Sequence, residues 1–149
     1  MSGNRNSLIV TAGISPIMKA IAWFYPVTAA VVFFQAISGA STVLDFYNFD
    51  MHMMTGYVTA VFALVAVIIP FVLKPKYNAL RYSSLVLFIL VVLQGFIGFA
   101  AEKSDQVVAI HFVNFLILYA VVISTIFYAF RWGRMVPPPT QQVVAAAKP

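Results

Sequence analysis

His52 and His111 are the residues of this chain best equipped for chemistry, and it has no other histidine. An imidazole can move a proton or bind a metal near neutral pH. Each follows a glutamine and a glycine at the same spacing. Gln35 and Gly39 precede His52, and Gln94 and Gly98 precede His111, so the pattern Gln-x3-Gly-x12-His occurs twice at an offset of 59 residues (111 − 52 = 59). Long apolar runs surround both copies, which places each imidazole in or at the edge of a bilayer. Ionisable side chains are costly there and mark function by default. Two such groups at equivalent positions point to a shared ligand set.

The elements that must position them are membrane spans. Hydrophobic residues make up 62% of the 149 and charged residues only 9%, too few charges to cover a soluble domain of this size. Four stretches of spanning length cover residues 16–41, 50–73, 79–101 and 107–132, which predicts an all-α, integral membrane four-helix up-down bundle built from two repeated helical hairpins. The domain reading is a segment 1–15, a bundle 16–132 and a Pro/Ala-rich tail 133–149. Ser15 before Pro16, then Asp50, Asn78 and either Ser104 or Asp105, are the expected N-caps. The first span is too long for the apolar part of a signal peptide, and its match to the third predicts that it is kept. With no cysteine, the chain offers no disulfide, thiolate metal site, iron–sulfur ligand or thioether haem attachment.

The formal charge of +5 is distributed by topology and does not indicate a nucleic-acid partner. Arg5, Lys19, Lys74, Lys76, Arg81, Arg131, Arg134 and Lys148 fall on the side of the termini and the middle loop, whereas Asp45, Asp50, Glu102, Asp105 and Lys103 fall on the other. The positive-inside rule then predicts a multi-pass protein of the cell (plasma) membrane with both termini cytoplasmic. Trp23, Tyr25, Tyr77, Tyr82, Tyr128 and Trp132 are expected to form the aromatic belt at that side.

This orientation brings the two imidazoles to one depth on the second and fourth helices, which can stand diagonally across a bundle core. Two facing histidines can supply both axial ligands of one haem b. Thr55, Gly56 and Thr59 share the His52 face of the second helix, and Asn114 and Leu118 share the His111 face of the fourth. Gln35, Gly39 and Thr42 form a stripe on the first helix, as Gln94, Gly98 and Ala101 do on the third. The expected haem-contacting set is therefore His52, His111, Gln35, Gln94, Gly39, Gly98, Thr55 and Asn114, with His52 and His111 on the metal. Zinc, non-haem iron or copper calls for a third ligand that the spans lack, although Met51, Met53 and Met54 keep copper open. Tyr47, Asn48, Lys103, Ser104 and Gln106 are the expected partners of the haem propionates. The bland reading, in which the histidines and glutamines only bond helix to helix, remains open too.

The residues Leu93-Gln94-Gly95-Phe96-Ile97-Gly98 and Ile110-His111-Phe112 resemble one half of haem A synthase, or a related four-helix membrane b-type cytochrome. That resemblance implies His52 and His111 as axial haem ligands. In the catalytic half of the synthase family a glutamate precedes the second-helix histidine and an arginine often follows it; here Phe49 and Met53 stand at those positions. The outer-loop cysteine pair of many members has no counterpart. The expected function is a cytochrome subunit passing electrons through a bis-histidine haem within a larger respiratory or other membrane complex. Its partners would be other membrane subunits, the lipid bilayer, and a quinol or an extracytoplasmic redox protein. A compact haem A synthase-like enzyme and a haem-free structural subunit are the alternatives.

Overall fold

A computed structural model describes residues 16–44, 48–73, 78–101 and 104–135. Four helices fill almost all of it: α1 (Pro16–Val43), α2 (Phe49–Leu73), α3 (Ala79–Ala101) and α4 (Asp105–Met135). All four are long and apolar enough to cross a membrane. The chain therefore has the architecture of a multi-pass membrane protein, in which each helix satisfies its own backbone within the apolar phase. Each helix packs on its two neighbours in the ring α1–α2–α3–α4, which leaves α2 and α4 diagonally opposed. Successive helices are antiparallel: late α1 meets early α2 at Gln35 and His52, and late α2 meets early α3 at Pro70 and Arg81. α1 and α4 outrun the expected spans by two and three residues at their C-terminal ends, and α4 takes up part of the expected tail.

Small side chains let the helices close on each other. Ala63, Ala66, Ala129 and Ser84 are completely buried, and Thr28 and Thr125 nearly so. Larger apolar residues such as Phe96 and Val72 point outward, about 70% exposed, as expected where lipid tails solvate leucine or phenylalanine as well as a protein interior does. Each buried threonine returns its hydroxyl to a carbonyl four residues back, Thr28 to Phe24 and Thr125 to Val121, so neither hydroxyl is stranded in hydrocarbon.

The helix ends differ in part from expectation. α2 is capped by Asn48, whose side-chain oxygen accepts the Met51 amide at 2.9 Å; Asp50 lies one residue inside the helix and is exposed. Asn78 precedes α3 as expected, but its side chain accepts from Arg81. Ser104 opens α4 through its carbonyl, which takes the Val107 and Val108 amides. The Ser15 cap, Tyr47, Tyr77, Lys103, most of the charged loop residues and both terminal segments apart from 133–135 lie outside the described residues.

Tyr25 is no belt residue. Pro70 has no N–H to give the Ala66 carbonyl four residues back, and the Tyr25 hydroxyl donates to that carbonyl at 3.1 Å from within the core. Trp132 is likewise packed inside, beside Tyr25, Leu80 and Ala129, whereas Trp23 and Tyr82 are exposed as a belt requires. Arg81 Nε reaches across to the Pro70 carbonyl at 3.1 Å and ends α2. The bundle is closed at this end. A second packed layer of Ala29, Val32, Ala63, Leu87, Val91, Leu118 and Val122 fills its middle.

Candidate functional site

The other end is hollow. A cavity of about 480 Å³ lies between the helices there, within the range of small-molecule and cofactor sites, and all four helices contribute to its wall. His52 and His111 both line it, as do Gln35, Gln94, Gly39 and Gly98. Phe49, Phe99, Phe112 and Phe115 supply much of the apolar remainder, and among the described residues no carboxylate lines the wall.

The repeat in the sequence is a repeat in space. Gln35 Nε2 donates to the His52 carbonyl at 2.9 Å, and Gln94 Nε2 donates to the His111 carbonyl at 3.0 Å. Each glutamine thus fixes a histidine's backbone across a helix pair. Gln35 Nε2 also lies 3.2 and 3.4 Å from the two ring nitrogens of His52, nearly equidistant, and so over the ring instead of along a lone pair. The glycines are cradles for imidazoles: a Cβ on Gly39 would stand 2.8 Å from His52 Cε1, and one on Gly98 would stand 3.1 Å from His111 Cε1. No side chain larger than hydrogen lets the ring keep its place at Gly39.

The imidazole centroids are 6.4 Å apart and their planes are inclined by 74°. One metal between two imidazoles, with metal–nitrogen bonds of about 2.0–2.1 Å, puts the ring centres roughly 6 Å apart. The inclination is no obstacle, because ligation fixes the metal–nitrogen axis and leaves rotation about it free. Among the described residues no group of three or more His, Cys, Asp or Glu side chains converges. Two imidazoles could hold a metal here only if it brought further ligands of its own. Two buried polar atoms at the site, Gln35 Oε1 and His111 Nδ1, have no hydrogen-bond partner among the described residues.

Comparison with known proteins adds nothing to this geometry. No family model, curated protein or solved structure matches the chain.

Two residues expected at the cofactor stand behind the wall. Thr55 faces a lipid-side groove between α1 and α2 with Val27 and Phe34, and its hydroxyl bonds the His52 carbonyl at 2.9 Å and lies 3.2 Å from Ser38 Oγ. Asn114 is buried outside the cavity lining and donates to Gln94 Oε1 at 2.5 Å and to the Leu90 carbonyl at 3.3 Å. Both act on the cavity through a neighbour. Gly56, Thr59, Thr42, Leu118 and Ala101 do line it, as does Tyr57. Of the three methionines only Met53 does so; Met51 and Met54 are exposed, which removes the clustered soft ligands a copper site needs. Asn48 and Gln106 are exposed and Ser104 half-buried, and none of the three lines the cavity.

Ser38 was invisible to the repeat and matters most among the residues missed. Its hydroxyl lies 2.8 Å from the Gln35 carbonyl and 3.0 Å from His52 Nδ1. Position 97 is the counterpart of position 38 and holds isoleucine. The available signal was helical spacing: Ser38 stands three residues after Gln35, on the face that already carries the glutamine.

Proposed function

We propose that this chain is a membrane b-type cytochrome subunit holding one haem b between His52 and His111 and passing single electrons. The observation that carries the reading is the pair of imidazoles 6.4 Å apart in the wall of one apolar cavity. Haem, when bound, supplies a one-electron iron couple. The chain's own residues do the rest. His52 and His111 would hold the iron between them; Gly39 and Gly98 give the rings room; Gln35 and Gln94 hold the histidine backbones; the phenylalanines exclude water. The residues at the positions that distinguish the synthase family, Phe49 and Met53, both line the cavity, so neither the glutamate nor the arginine of that family stands there. Electron transfer is therefore favoured over haem oxidation.

The charge asymmetry of the sequence supports a cell-membrane location with both termini cytoplasmic. The haem then lies near the outer face, where a quinol in the bilayer or an extracytoplasmic redox protein can reach it. A four-helix chain that is nearly all membrane span suits a subunit of a larger respiratory assembly.

Full-length protein purified in detergent and analysed as the pyridine haemochrome is expected to carry about one haem b per chain, with a sharp two-banded spectrum on reduction. His52→Ala and His111→Ala are each expected to abolish the low-spin spectrum. A folded wild-type chain that takes up no haem, either during expression or on reconstitution, ends the proposal.

A further inference from the structure

The two imidazoles are not equivalent, and the difference lies in one hydroxyl. Ser38 Oγ has a single proton, and of its three acceptor candidates, the Gln35 carbonyl, His52 Nδ1 and Thr55 Oγ1, the nearest is the Gln35 carbonyl, 2.8 Å away. With the proton spent there, Ser38 Oγ meets His52 Nδ1 at 3.0 Å as an acceptor. His52 Nδ1 must then carry hydrogen, and Nε2 is left as a bare lone pair. Thr55 Oγ1 lies 3.2 Å from Ser38 Oγ but directs its own proton to the His52 carbonyl at 2.9 Å, so it brings no competing donor to Ser38.

His111 has the same backbone clamp and the same glycine cradle, but Ile97 stands where Ser38 stands in the first half. Its Nδ1 is buried without a partner among the described residues. The Nδ1–Cε1 edge of the ring faces Gly98, and neither tautomer is selected by a hydrogen bond.

We propose that Ser38 is a positioning residue that selects the Nε2-ligating tautomer of His52 and makes His52 the anchoring ligand, with His111 the weaker, exchangeable one. The inference rests on the haem reading above. An imidazole that donates its other N–H to an acceptor is oriented and made more basic, and loss of such partners typically costs about 10–100-fold in metal affinity. A more basic ligand favours ferric over ferrous iron, so the hydrogen bond also lowers the reduction potential.

The test uses full-length protein in nanodiscs titrated with haem b in both oxidation states, with the midpoint potential measured on each loaded sample. Ser38→Ala is expected to weaken ferric binding about 10–100-fold, to weaken ferrous binding less, and to raise the potential. Ser38→Thr, which restores a hydroxyl, is expected to recover both. Ile97→Ser gives His111 Nδ1 an acceptor and is expected to lower the potential below that of the wild type. Wild-type potential and affinity in Ser38→Ala overturn the inference and leave the haem reading standing. Equal losses in Ser38→Ala and Ser38→Thr also overturn it, since they would trace the effect to packing. Failure of the wild type to bind haem in either state overturns both.

Discussion

The two histidine half-sites are built on one plan and finished differently. Glutamine to histidine carbonyl recurs at 2.9 and 3.0 Å, and a glycine lies beneath each imidazole, closer at Gly39 than at Gly98. These are the parts that set where a histidine's backbone and ring lie. What differs is what touches the ring nitrogens and the clamping amides. In the first half Ser38 meets His52 Nδ1, and Gly56 leaves space for the Gln35 amide, since a Cβ there would lie 3.2 Å from its Nε2. In the second half Phe115 occupies the position of Gly56, and Asn114 occupies that of Thr55 and binds Gln94. Placement was duplicated, and the chemistry around the placed groups diverged.

That comparison can be broken most readily at the cradles. Gly39→Ala is expected to weaken haem binding by about 100-fold and Gly98→Ala by about 10-fold, the two ends of the range for disturbed ligand support. The order follows from the closer approach at Gly39, and equal losses in a haem titration would deny any difference in tightness. A smaller effect separates the clamps. Gln94→Ala removes a bond to the His111 carbonyl and one to Asn114, whereas Gln35→Ala removes fewer well-aligned bonds. The expected destabilisation is about 2 kcal/mol against about 1 kcal/mol in unfolding from mixed micelles. The smallest change sharpens the contrast by its absence: a Cβ on Gly95 meets no protein atom within 4 Å, so Gly95→Ala is expected to shift stability by no more than about 1 kcal/mol in the same unfolding measurement.

The spans could be read from the sequence because four apolar stretches are separated by short polar turns, and each reaches a bilayer's thickness. Their observed limits depart by only a few residues. The glutamine–glycine–histidine repeat was legible for a simpler reason, since a fixed offset needs no structure to be seen. Which faces turn inward was harder to read. In a bilayer Phe96 gains nothing by burial and Ala66 gains a neighbour, so apolar periodicity carries little information about the core. Thr55 and Asn114 share the histidine face in projection, yet a helix face is wide enough for one residue to line a cavity and the next to brace it. Ser38 was hidden because its counterpart is Ile97, and a repeat reveals only what both copies keep. Tyr25 was assigned to the interface by residue type. The missing clue was Pro70, whose lack of an N–H creates a carbonyl in need of a donor on the adjacent helix.

That proline has a mechanical consequence. Tyr25 and Gln35 pin α1 to α2 at two points ten residues apart, or about 15 Å along the axis, so these two helices can neither slide nor roll past one another without breaking a bond. Arg81 adds a third rivet, from α3 into the tail of α2. Between α3 and α4 the side-chain fastenings of Gln94 and Asn114 all sit near the histidines. A flat guest entering beside the histidines therefore meets, among the described residues, one helix pair bolted at both ends and one bolted only at the mouth.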